Sequence, residues 1–374
     1  MDKKPVYLLD LNSEELKALV VSLGEKAYRA AQLEQWIYKK SAASFDEMSD
    51  LPQGFRDKLQ EAAVLFTLIP LEDKKSSDGQ TRKILFQLED GQTLESTLMF
   101  YENTTSHRER RTVCISTQVG CPVGCYFCAT GQQGFVRNLR PGEILEQVLY
   151  FIRMIKTTVI TEDRELARKA ITNVVLMGMG EPLANYDNVR LAVETLNSKH
   201  GLELGARQIT LSTSGLVPQL RQLAEENLHL ELAISLHAAT DELRNRLMPI
   251  NRKYPLAELI PACVYYLEKT GRRPTFEYAL FEGVNDSPEN ARETAELLKG
   301  INCAVNIIVG NPTASREFRS SSLAQAQLFQ KHLFAGGIFN TIRVSKGADI
   351  EAGCGQLRSR WLKETGGQPS HSIS

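Results

Sequence analysis

From Arg111 onward the chain alternates short apolar runs with longer amphipathic ones, and this alternation constrains the fold more than any other feature. Runs at 112–117, 173–177, 208–212, 231–236, 275–279, 304–308 and 341–344 have the length and β-branched content of buried strands. Stretches at 141–155, 189–198, 289–298 and 323–334 carry apolar residues at helical spacing between them. Strands joined through a helix run parallel, because the crossover returns the chain to the same end of the sheet. The region therefore predicts an α/β fold with a parallel sheet, either doubly wound or curled into a barrel. No internal repeat or low-complexity array interrupts it.

The connection after the first of these strands holds Cys121, Cys125 and Cys128 in VGCPVGCYFCAT, a C-x3-C-x2-C triplet. Thiolates are soft ligands that suit iron–sulfur clusters and zinc. A structural zinc takes four protein ligands and a cubic 4Fe-4S cluster has four irons to satisfy, yet no fourth Cys or His follows close behind Cys128. On the residues alone two readings stand. One is a cubane with one iron left for another ligand. The other is a zinc knuckle completed from a distance, by Cys114 or a histidine. The ends of the following strands are polar or glycine-rich: Gly178-Met179-Gly180-Glu181, Ser212-Thr213-Ser214-Gly215, Ser235-Leu236-His237, and later Asn311-Pro312. In βα barrels the chemistry sits at these ends, so the pattern predicts a ligand-filled mouth, with Glu181 suited to accept from an ammonium group.

The preceding residues divide in two. Residues 1–65 read as helical: Asn12 caps a helix whose face is Leu16, Leu19, Val20 and Leu23, a second is predicted from Tyr28 through Ile37, and a third over 55–62. Then 82–88, Asp90-Gly91 and 93–100 predict a β-hairpin. The hydrophobic fraction of 42% and charged fraction of 24% are those of a globular protein, and the longest apolar-rich run, 62–71, is too short to span a bilayer. The start, MDKKPVYLLD, lacks the apolar core of a signal peptide. Seven cysteines, three of them in a metal spacing, argue for reduced thiols and a cytoplasmic address. A net charge of −1 leaves RNA open as a partner, because binding depends on where the basic residues lie. Arg108/Arg110/Arg111 and Arg137/Arg140 bracket the triplet and are the better candidates for phosphate contacts.

The segments CISTQVGCPVGCYFCATGQQGFVRNL, MGMGEPLANYDNV, LSTSGLVP, ISLHAATDELRNRLMPIN, EYALFEGVNDS and GADIEAGCGQL together resemble the RlmN/Cfr family of radical S-adenosylmethionine (SAM) RNA methyltransferases, over essentially the whole chain. The resemblance implies a radical-SAM partial (βα)6-type barrel with an N-terminal helical domain and a small β-hairpin linker module. Residues 1–65 would be an RNA-binding-type domain, 66–108 the connecting hairpin, and 109–350 the barrel. Residues 351–374 would be a C-terminal segment with the methyl-accepting cysteine, ending in a disordered tail. It implies a 4Fe-4S cluster on Cys121, Cys125 and Cys128, and SAM contacts at Gly180, Glu181, Ser212, Ser235, Leu236, His237 and Asn311. Before Asn311 this chain reads Ile307-Ile308-Val309-Gly310, where the family usually has proline and a bulky residue.

The resemblance also implies a route that uses two SAM per turnover. Cys354 takes a methyl group from one SAM. A second is cleaved to a 5′-deoxyadenosyl radical, which removes a hydrogen from the methylated Cys354 so that a methylene radical adds to adenine. Glu95 removes the ring proton. Cys114 then attacks the Cys354 sulfur, forming a disulfide bond that releases the RNA. A thiolate is a good nucleophile toward the SAM methyl group, whereas carbon 2 of adenine is electron-poor. Gly24 to Tyr38 resembles the branch that methylates carbon 2 in 23S rRNA and tRNA, in preference to the Cfr-like carbon 8 branch. Implied partners are those RNAs and a one-electron reductant such as flavodoxin or ferredoxin, with a monomeric enzyme and no membrane. The competing non-enzymatic reading is a zinc-stabilised RNA-binding protein.

Overall fold

A computed structural model describes residues 5–101, 109–158, 170–226, 228, 230–309, 317–344, 346–350, 353 and 355–366. At the N-terminal end, β1 (Val6–Tyr7) pairs in parallel with β2 (Ala63–Val64), enclosing helices α1 (Ser13–Ser22), α2 (Arg29–Glu34) and α3 (Gln53–Ala62). A capping box starts α1: Asn12 Oδ1 accepts from the amides of Glu14 and Glu15, and Glu15 accepts from the Asn12 amide at 2.9 Å. The predicted second helix is divided. α2 passes into a π-helical turn, Gln35–Lys40, that turns Ile37 and Tyr38 inward beside Leu16, Val20, Leu33, Phe55 and Leu59.

The sheet begins with β3 (Ile69–Lys75), β4 (Thr81–Gln87) and β5 (Thr93–Tyr101), paired antiparallel, and β5 continues antiparallel to β6 (Arg110–Cys114). The hairpin predicted from Asp90-Gly91 is β4–β5. β3 precedes that hairpin as a largely exposed edge strand rich in Glu, Asp and Lys, which is how edges resist aggregation. A separate small hairpin pairs β7 (Gln118–Gly120) with β8 (Phe135–Asn138).

After it come β9 (Asn173–Leu176), β10 (Ile209–Thr213), β11 (Glu231–Ser235), β12 (Thr275–Leu280), β13 (Ala304–Val309) and β14 (Asn340–Val344). With β6 they form seven parallel neighbours in strict chain order. A doubly wound sheet needs a point where strand order reverses. Here every new strand joins the same edge, so the six crossovers are those of a partial (βα)6 barrel.

Helix α5 (Pro141–Thr158), the first crossover, binds the three parts together. Its buried Glu146 accepts from the amides of Thr67 and Leu68 and from the Thr67 hydroxyl, fixing the exit from the helical domain. Arg140 bridges Asp10 (2.9 Å) and Glu89 (3.2 Å) and lies 3.6 Å over the Tyr7 ring. Arg137 pairs with Asp90 (2.6 Å) and Glu143 (2.9 Å). These two arginines, expected to face phosphate, are instead struts between barrel, hairpin and N-terminal domain. Arg111 is likewise buried, donating to the Ala170 carbonyl and pairing with Glu109, and Arg108 lies outside the described residues.

Removing the Glu146 carboxylate leaves two backbone donors without their partner in a dry seam. Glu146→Ala is expected to lower stability by about 3 kcal/mol, the scale of hydrogen bonds to a charged group. The urea midpoint checks this, and a change within about 0.5 kcal/mol would refute the seam's importance.

Candidate active site

The hairpin β7–β8 closes the loop that carries the triplet. Gly120 has φ +75°, and a Cβ there would sit 1.8 Å from the Gly134 carbonyl oxygen, so no side chain fits. The Cys121 amide donates to that same carbonyl at 2.9 Å, and the Cys128 amide donates to Cys125 at 3.1 Å. A short helix, α4 (Ala129–Gln132), begins directly after Cys128. Cys121, Cys125 and Cys128 are half-buried, and desolvation pushes all three thiols up. The nearby Cys128 and Cys121 sulfurs push Cys125 up further. Three soft donors in a water-poor pocket fit an iron–sulfur cluster, whose binding replaces their protons. Among the described residues no three His, Cys, Asp or Glu side chains converge tightly enough for a single ion. A cubane held by three cysteines spreads them over three irons, a wider footprint than that of one ion.

Around this pocket the strand ends are joined by buried polar groups. Gly180 lies against Gln118, whose side-chain oxygen accepts from the Glu181 amide at 2.8 Å. The buried Glu181 carboxylate accepts from the amide and hydroxyl of Ser214, both at 2.7 Å, and from the Leu183 amide at 3.1 Å. Desolvation pushes its carboxyl up, and these hydrogen bonds oppose the shift. Ser212 is half-buried on β10, and Ser235, at the end of β11, is in register with Glu277. Leu236 is fully buried. His237 has φ +58°, its Nδ1 accepts from the Ala279 amide at 3.0 Å, and its ring meets Phe127 edge-on at 5.0 Å. Asn311 lies outside the described residues.

One residue that the sequence reading passed over holds these ends together. Arg244, on the short helix Asp241–Leu247, is fully buried. Its guanidinium donates to the carbonyls of Ser214 (2.8 Å), Ser235 (3.1 Å) and Leu236 (3.1 Å), and to Asn251. The signal was available: Arg244 and Leu247 are three apart and share the buried face of a helix capped by Thr240.

A second group lies on the antiparallel side. Thr97 of β5 is opposite Lys83 of β4 and Cys114 of β6, so the three form one row across the sheet. Glu95, two residues before Thr97, projects from the same face. Glu95 and Lys83 are 3% and 1% exposed and pair at 2.6 Å, far from the solvated carboxylate that Leu94-Glu95-Ser96 suggests by itself. Burial pushes the Cys114 thiol up to about 11, with Lys83 opposing and Glu95 adding to the shift.

Cys354 lies outside the described residues, but both its neighbours are placed. The Gly353 carbonyl accepts from Lys83 Nζ at 2.8 Å, and the Gly355 amide donates to Glu95 at 2.9 Å. Gly355, with φ +75°, packs so closely on Thr130 that a Cβ would come within 2.4 Å of its hydroxyl. Gln133, just past α4, donates to the Gly355 carbonyl at 3.0 Å. The glycines beside Cys354 therefore lie between the Glu95–Lys83 pair and the cluster loop.

A cysteine triplet at the mouth of a partial βα barrel defines a radical SAM enzyme, a class that uses a 4Fe-4S cluster and SAM. Residues 115–298 match the radical SAM superfamily, and residues 6–65 match the ribosomal RNA large subunit methyltransferase N-terminal domain. The chain is 45% identical over 354 residues to a dual-specificity RNA methyltransferase RlmN of Desulforamulus reducens, covering 95% of this chain and 96% of that one. The RlmN of Dictyoglomus turgidum is 45% identical over 360 residues, covering 96% and 98%. A crystal structure of a radical SAM methyltransferase from Sphaerobacter thermophilus has a TM-score of 0.87 at 45% identity, covering 94% of this chain and 99% of that one. The chain belongs to the RlmN family of radical SAM RNA methyltransferases, which sets aside the zinc-stabilised binding protein.

Burial and the nearby Arg244 lower the pKa of His237 to about 3. In the unfolded chain a histidine takes its proton near 6.5, so between these values the unfolded state binds more protons and stability falls as pH drops. From pH 7 to pH 5 this one group should cost the wild type about 2 kcal/mol that His237→Gln does not lose. Urea midpoints of the two proteins at both pH values read the difference, and equal pH slopes would contradict a buried neutral imidazole.

Proposed function

We propose that this enzyme methylates carbon 2 of adenine in 23S rRNA and tRNA through a methylated-cysteine intermediate. In this reading Cys121, Cys125 and Cys128 hold the cluster, and Gly180, Glu181, Ser212, Ser235, Leu236, His237 and Asn311 surround SAM. When bound, cluster and SAM supply a methyl group and the means to remove a hydrogen from it, with two SAM consumed per turnover. Cys354 accepts the methyl group on its sulfur and carries it to the adenine ring. Glu95 takes the ring proton at carbon 2. The Cys114 thiolate attacks the Cys354 sulfur, the bond from that sulfur to the RNA-linked carbon breaks with its electron pair going to the carbon, and that carbon takes a proton to complete the methyl group as methylated RNA leaves. The disulfide between Cys114 and Cys354 is then reduced for the next cycle. A one-electron donor such as flavodoxin or ferredoxin serves a monomeric, cytoplasmic enzyme whose residues 1–65 engage RNA beside the hairpin of 66–108 and the barrel of 109–350.

One observation carries the reading. Glu95 and Cys114 project from one face of adjacent strands, and Glu95 grips the backbone next to Cys354. That supports a base, an acceptor and a resolving thiol working at one point.

Cys354→Ala should keep its iron but lose the species heavier by about one methyl group that intact-protein mass spectrometry finds in the wild type. Cys114→Ala should retain RNA covalently bound after purification from cells, because the thiol that frees it is gone. A Cys114→Ala protein free of RNA, turning over like wild type, would end the two-cysteine route. In rRNA and tRNA of a deletion strain, loss of 2-methyladenosine supports the ring position, whereas loss of the 8-methyl isomer points to the Cfr-like branch.

A further inference from the structure

We infer that Lys83 is a positioning residue for this reaction, holding Glu95 and the backbone on either side of Cys354 in working register. The inference rests on the roles proposed above for Glu95 and Cys354. Lys83 is 1% exposed in the middle of β4, between the apolar Ile84-Leu85-Phe86 and the strand start. Burying an ammonium is costly, and a well-packed apolar residue would serve stability as well or better. What the cation provides is geometry. Its donors reach Glu95 Oε2 at 2.6 Å and the Gly353 carbonyl at 2.8 Å. The carboxylate so held accepts from the Gly355 and Arg358 amides. The pair thus grips the carbonyl before residue 354 and the amide after it.

Lys83 also sits in one row with Thr97 and Cys114, and acts electrostatically on the Cys114 thiol. A single side chain therefore touches the base and the acceptor segment and neighbours the resolving cysteine. Reacting atoms must meet at about 3–3.5 Å, and small misplacements cost large factors in rate. Without the ammonium, Glu95 would keep its backbone donors but lose its lateral restraint, and the Gly353 carbonyl would keep the Gln356 amide at 3.2 Å but lose the donor that ties it to Glu95. Lys83 takes no proton in this scheme; it acts through Glu95.

The test compares Lys83→Met, Lys83→Arg and Glu95→Ala, each purified anaerobically and assayed for iron, for methylated Cys354, and for RNA covalently attached after nuclease treatment. Lys83→Met should hold wild-type iron and accumulate the Cys354–RNA adduct at least tenfold over wild type, and Glu95→Ala should do the same. Lys83→Arg, which restores a cation, should bring release back to within about threefold of wild type. An iron-loaded Lys83→Met that releases methylated RNA at the wild-type rate would overturn the inference, and so would a Lys83→Arg as defective as Lys83→Met. If Lys83→Met alone does not accumulate as folded protein, Lys83→Met/Glu95→Ala, which leaves no charge buried alone, decides the matter. It should match Glu95→Ala in adduct and in Cys354 methylation, and a further loss of either would mean that Lys83 acts elsewhere. An adduct in Glu95→Ala with a clean Lys83→Met sinks only the inference, whereas no adduct in Glu95→Ala removes the base it depends on.

Discussion

The proposed reaction centre depends on a buried carboxylate being closed over by backbone from the far end of the chain. Glu95 lies in the third strand of the sheet, and the groups that satisfy it, besides Lys83, are amides about 260 residues later. A carboxylate this deep is tolerable only when paired and hydrogen-bonded. The buried carboxylate on this face of the sheet is therefore not satisfied until the C-terminal segment arrives. Further contacts reinforce the join: Lys346 donates to the Phe100 carbonyl, the Ser77 amide donates to Asp349, and Arg360 pairs with Glu72. The N-terminal half of the chain is thus incomplete without its last residues.

Exclusion of water sets the electrostatics of both halves of the site. It pushes the cluster thiols up, keeps His237 neutral, and holds the Glu181 carboxyl above the usual carboxylate range. Each shift is a store of free energy that a suitable ligand can draw on: a soft metal centre for the thiols, a cation for Glu181. Arg244 keeps the arrangement from relaxing, because its guanidinium occupies the carbonyls that would otherwise have to find solvent. The mouth is held by a charge that touches backbone, the Arg244 guanidinium.

What the sequence could reveal was whatever is written locally. The cysteine triplet, the glycine- and serine-rich strand ends and the Asp90-Gly91 turn are contiguous patterns, and the structure places each as expected. What it hid was charge that the fold buries. Lys83 directly follows Arg82 at the start of its strand, so nothing local distinguishes it from that residue, which pairs with Asp73 at the surface. Arg137 and Arg140 showed the opposite failure, since residues that looked free for phosphate are consumed by carboxylates from two other segments, Asp10 and the Glu89-Asp90 turn. Pairing partners dozens to hundreds of residues away leave no periodicity to read. The β7–β8 hairpin escaped notice for a related reason: its strands are too short for alternation to register.

The strict order of the parallel strands has a mechanical consequence. In a closed barrel the last strand would zip onto the first, and the ring could open only by breaking a whole ladder at once. Here β6 carries the antiparallel extension, so β14 has no place beside it, and the chain instead crosses to β5 as a strap. A strap is held by separate fastenings, a few hydrogen bonds and ion pairs of about 1 to 3 kcal/mol each, which can be released one at a time. Gly353 and Gly355, on either side of the proposed acceptor, belong to the strap and not to the sheet. In the proposed cycle, the part of the molecule that trades partners is the part whose displacement leaves the barrel's ladders intact.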